Sequence, residues 1–228
     1  MAQLKLTNAY PDNGFQAIEF KINNPNQTTE SLSGKMRRVG MGISFYSFTV
    51  KYPMISRLKM STLMGFLSQT QGPLYAFDIV LPSISYTKLS NQITGNVTVT
   101  GGSDTWTENG TSKTGYKTGR GIITVSGANG NLFAGGDVFR FSNDLNYPGD
   151  DANNVDCKVY MATNAVTISG GTGTVYFTGG LVDNVPNGTL ITYTAVPFQV
   201  IIPNGEQVFH HGQGGLGSLE FDCREVWG

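Results

Sequence analysis

One window of this chain carries the period of a helix, and the segments around it read as strand and turn. Met60, Leu63, Met64 and Leu67 recur at the spacing that lines up side chains on one helical face, with Leu58 at the edge of the stripe. Ser56 stands where an N-cap belongs, and Gln71-Gly72-Pro73 supplies the Gly-then-Pro stop, so the spacing predicts a helix over about 56–70. Such a stripe packs onto a sheet. Immediately before it, GISFYSFTVKYP (42–53) alternates as a strand, with Tyr46, Phe48, Val50 and Tyr52 on one face and Ile43 and Phe45 on the other. Pro53 ends that ladder by removing a donor. Immediately after the helix, YAFDIVLP (75–82) returns to strand.

The remainder is short strand candidates separated by turn formers. AIEFKI (17–22) comes first, followed by a polar loop over 23–36. From Gln92 onward the candidates are 92–100, 119–127, 137–142, 157–163, 173–178, 188–195, 198–203 and 217–227. Gly 30 and charged residues at only 14% fit this reading, since Gly builds turns and few charges are left for the surface. The expected fold is mainly β: a β-sandwich or β-barrel with one short helix (about 56–70) packed on a sheet. No linker or repeat divides the chain, so 1–228 is expected to be a single β-rich domain. Polar insertions lie near 101–118, a loop or projecting hairpin, and near 142–156.

Charge and motifs narrow the function. A net charge of −1 gives no field for nucleic acid or an anionic membrane, and no apolar run is long enough for a membrane helix. The N-terminal MAQLKLTNAY lacks a signal-peptide core, so synthesis and retention in a cytosol are expected, with Cys157 and Cys223 as thiols. His210 and His211 are adjacent, and neighbours on a strand point to opposite faces, which makes them poor joint metal ligands. Asp144, Asn146 and Gly149 begin like a calcium loop, but Pro148 and Val155 occupy ligand positions, leaving Asp150, Asp151 and Asp156 as a solvated acidic loop. Neither nucleotide-binding glycine motifs nor a nucleophile elbow is present, so no cofactor or metal is expected. Asp78, Asp137, Glu206 and Glu220 are the carboxylates from which an acid–base pair would have to come. Candidate partner contacts are Trp106, Tyr116 and Tyr147 in the polar insertions, together with Asp150 and Asp151.

The order of segments carries a resemblance. Paired Arg37-Arg38 precede the aromatic strand ending Lys51-Tyr52-Pro53. The helix closing on Leu67 and Gln71-Gly72 follows, then the strand Phe77–Pro82. Further on come the turn Gly135-Gly136-Asp137-Val138, ahead of Phe139 and Phe141, and the strand Lys158-Val159-Tyr160-Met161-Ala162-Thr163. Over about 35–205 this resembles structural proteins of tailed-bacteriophage tails, of the distal-tail and baseplate-hub type. The resemblance implies a non-enzymatic virion protein that forms a ring, commonly six-fold, or an adaptor at the tail tip or baseplate. Its partners would be further copies of itself and neighbouring tail proteins, met through 23–36, 101–118 and 142–156. Assembly would take place in the host cytoplasm. The alternative is a carbohydrate- or receptor-binding β-sandwich using the loop aromatics, and a third possibility is a glycan-degrading phage enzyme using the carboxylates.

Overall fold

The computed structural model describes residues 5–6, 14–40, 43–86, 89, 92–142, 158–204, 208–211 and 215–227. The fold is mainly β, with one helix and several open sheets, none closed into a barrel, and is sandwich-like. The largest sheet is organised on the ten-residue strand Leu216–Glu225. Phe45–Lys51 and Pro197–Ile201 pair with it on either side, and Phe77–Val80 and then Lys5–Leu6 extend the Pro197 side. Ala17–Asn23 closes the order at the opposite edge. The short strands Ile55–Ser56 and Val208–His211 pair with the first half of the long strand.

Alternation decides which side of this sheet is core. Tyr46, Phe48, Val50 and Tyr52 are all buried, on the face the sequence pattern assigns. Leu219, Phe221 and Cys223 share that cluster, and Phe20 of the edge strand stacks on Tyr46 with centroids 5.2 Å apart. The helix, Arg57–Thr70, packs on this cluster through Met60, Leu63, Phe66 and Leu67. Phe66 meets Phe77 edge-on at 5.3 Å, a contact the four-residue stripe does not include. Leu58 is 79% exposed and contributes nothing to the packing.

Both helix ends differ in detail from the expected caps. Ser56 is held extended by its ladder with Leu216, and its side chain makes no capping bond. At the other end Gln71 takes the left-handed conformation (φ 49°), followed by Gly72 (φ 66°).

A second hydrophobic cluster lies among residues 93–191, between two crossings of the chain. Its six-stranded sheet runs Val159–Met161, Val138–Ser142, Leu190–Thr192, Thr98–Thr100, Ile122–Ser126 and Thr172–Tyr176. The pair Gly130–Phe133 and Val166–Ile168, absent from the sequence reading, covers it. Phe139 is its centre, with Phe133, Phe141, Tyr160 and Phe177 at centroid distances of 5.1 to 5.8 Å. Burying each such ring contributes about 1.5–3 kcal/mol.

Two polar segments are better ordered than a loop. Residues 23–36 are not a plain loop: Asn26–Glu30 and Met36–Gly40 form a two-stranded arm. Gly34 (φ 75°) makes its turn possible, and Ser31 N–H donates to the Lys35 carbonyl at 3.0 Å. Residues 101–118 hold the hairpin Asp104–Glu108 and Thr111–Tyr116, turned by Asn109-Gly110 at φ 49° and 78°. An Asn-Gly pair at positive φ is the preferred two-residue hairpin connection.

Candidate assembly surface

The turn at Gly135–Val138 has a physical basis. Asp137 accepts the Ala134 N–H at 2.7 Å on its own carboxylate, and Gly136 (φ 97°) donates its N–H to the Ala162 carbonyl at 2.8 Å. A side chain at Gly135 would meet the Thr163 carbonyl oxygen at 3.1 Å. Gly135–Val138 and Lys158–Thr163, far apart in sequence, are therefore direct neighbours across one ladder.

The same strands lock the two clusters together through buried charge. Lys158 Nζ lies 2.9 Å from Glu225 Oε2, and both side chains are almost wholly buried. Glu225 also accepts the N–H groups of Val159 at 2.8 Å and Tyr46 at 3.1 Å. The Lys158 ammonium sits over the rings of Trp227 at 4.6 Å and Tyr46 at 5.1 Å, a cation–π enclosure that replaces part of its lost hydration. Burial pushes the Glu225 carboxyl above its ordinary range, against the pull of Lys158 and the two N–H donors. Burial, and secondarily Glu225, pushes the Tyr46 phenol far up. A second pair, Arg140 and Asp78, is fully buried at 3.9 Å, and Arg140 Nη1 also donates to the Pro197 carbonyl at 3.5 Å. Sequence reading missed this constellation entirely, because nothing local marks residues 67 apart as partners.

The predicted contact residues fall in three different settings. Trp106 is half-buried on the polar hairpin, its Nε1 donating to Glu108 Oε2 at 3.4 Å. Glu108 also pairs with Lys113 across the hairpin at 3.0 Å, and that hydrogen bond draws its carboxyl below the usual value. Tyr116 packs inward: its hydroxyl donates to the Thr100 carbonyl and accepts the Thr124 N–H, each at 3.0 Å. It fastens the hairpin to the sheet. Tyr147, Asp150 and Asp151, with the rest of the 142–156 insertion beyond Ser142, lie outside the described residues.

Among the described residues, the carboxylates singled out for acid–base work do not converge. Asp78 faces Arg140, Asp137 holds its turn, and Glu220 pairs with Lys51 at 3.0 Å on the solvent side, while Glu206 lies outside the described residues. His210 and His211 are consecutive in a strand, opposite Ser218 and Gly217. Among the described residues no group of three His, Cys, Asp or Glu is placed to hold a metal, and no helix is long and apolar enough to cross a membrane. Cys223 is buried, and desolvation raises its thiol well above its ordinary value.

What the surface does offer is the arm and the sheet edge beside it. Every residue from 26 to 37 is exposed. Leu32 at the tip is fully exposed, Met36 is 61% exposed, and Ile22 at the root is 49% exposed. On the large sheet, Lys21, Phe45, Ser47, Thr49, Asp222 and Arg224 line a shallow groove. Neither the protein-family models nor the curated proteins contain a match to this chain.

Proposed function

We propose that the chain is a structural subunit of a tailed-phage tail tip or baseplate, building a ring or adaptor that joins the tail tube to neighbouring tail proteins in the virion. The observation that carries the proposal is the arm at 26–40. An isolated two-stranded hairpin is marginal at best in water, and this one carries a fully exposed Leu32 at its otherwise polar tip with no core beneath residues 26–37. Such an element gains its stability from another subunit. The tail setting comes from the resemblance, whose two hallmark segments meet across one ladder. The role is geometric: two clusters clamped by buried ion pairs make a stiff body, and exposed hairpins make the joints.

Electron microscopy of the purified full-length chain, with mass photometry, tests the reading. Closed rings of one copy number are the expected result. A chain that stays monomeric at every concentration and binds glycans, losing that binding on Trp106→Ala, would replace it with the carbohydrate-binding alternative.

A further inference from the structure

We infer that the acceptor of the 26–40 arm is a second copy of this chain, and that the arm adds to that copy's sheet edge at Ala17–Asn23. The inference rests on the ring reading above and deepens it.

Among the described residues Ala17–Asn23 has one strand partner, Phe45–Lys51, and no described strand pairs with the N–H and C=O groups of its other side. Proteins normally blunt such an edge with charged side chains, proline, a bulge or a very short strand, and here the exposed Glu19 and Lys21 pair with each other at 3.0 Å, leaving the edge without net charge. Here the edge runs seven residues without proline, in unbroken register with its partner. The arm strands, five residues each, fit within that length. The arm strand Asn26–Glu30 is polar throughout and exposed on both sides, as suits a strand that extends a sheet beyond its core.

The arm does not fold back on its own edge. Only Asn24 and Pro25 separate the two strands, and Pro25 holds Asn24 extended and cannot donate to a ladder. Donor and acceptor therefore sit side by side on one rim of the same subunit. Two such dissimilar surfaces make a head-to-tail contact, which repeats from copy to copy and closes into a ring when the rotation allows.

Net charge is compatible with the same partner, although four of the body's acidic residues lie in the 142–156 insertion and the acceptor strand itself is neutral. Lys35, Arg37 and Arg38 against Glu30 give the arm a charge of +2, so the remainder of a chain of net charge −1 carries −3. A basic arm is steered towards the acidic body of another copy.

The test uses the full-length chain with Cys157→Ser as background. One variant replaces residues 27–39 by Gly-Ser; another carries Glu19→Cys with Thr28→Cys. The arm-shortened variant is expected to be monomeric by mass photometry, with a circular dichroism spectrum that still shows the folded β body and a single cooperative melt. The double-cysteine variant is expected to give a ladder of copies on oxidation that the background protein does not give. A shortened variant that still assembles, or a missing ladder in an assembled double-cysteine protein, overturns the arm-to-edge contact and leaves the ring reading standing. A wild-type chain that never assembles overturns both.

Discussion

Lys158 and Glu225 show what a buried ion pair does for this molecule. Removing both charges from water costs several kcal/mol, so the pair contributes little net stability, yet breaking it leaves a buried charge uncompensated. Glu225 already binds its proton more tightly in the folded state than an ordinary Glu, because burial outweighs Lys158. A raised folded value means that its favourable contribution is full below the ordinary carboxylate range and is lost as pH rises through the raised value. Lys158→Met removes the main opposing interaction and pushes that value higher still. The variant is therefore expected to lose roughly 3–5 kcal/mol at about pH 8 and little at about pH 4, below the ordinary carboxylate range. Urea unfolding at the two pH values measures this, and an equal loss at both would contradict it. At this scale the sequence was legible where chemistry is local. The Gly136-Asp137 turn could be read because glycine's freedom and the aspartate's own bond need only neighbours. The clasp could not, since each partner alone reads as an ordinary surface charge.

Among the elements, period carried most of the information. The alternation of Phe45–Lys51 and of Leu216–Glu225 shows which residues are inside, and the helix lies where its stripe places it. The reading failed where pairing overrides composition. Asn26–Glu30 contains no apolar residue, yet it pairs along its whole length with Met36–Gly40. Gly130–Phe133 and Val166–Ile168 are too short to show a period and owe their ladder to the cluster they cover. The helix itself gives a clean contrast. Phe66→Ala removes an edge-on contact with Phe77 inside the core and is expected to cost about 3–5 kcal/mol. Leu58→Ala, on an exposed position of the same helix, is expected to stay within about 0.5 kcal/mol. Chemical denaturation of the two variants side by side checks both, and a comparable loss at Leu58 would mean that this face is covered in the isolated chain.

On the scale of the whole molecule, the two hydrophobic clusters pose a question of cooperativity. The chain passes between them near 86–92 and again near 193–196, and the second cluster's strands lend Val138 and Val159 to the first. The two buried pairs, Asp78–Arg140 and Lys158–Glu225, each take one member from either side. The tail subunit proposed above would need its two halves to move as one body. An unpaired charge between the halves penalises any relative displacement. Wild-type protein is accordingly expected to unfold in one calorimetric transition. Replacing both cations, Arg140→Met with Lys158→Met, leaves Asp78 and Glu225 facing an apolar neighbour and favours parting of the halves over burial of two carboxylates. Scanning calorimetry near neutral pH should then resolve two transitions, the lower one well below the wild-type midpoint. A single transition, merely shifted down, would show that apolar packing unites the halves and that the ion pairs only fix their register.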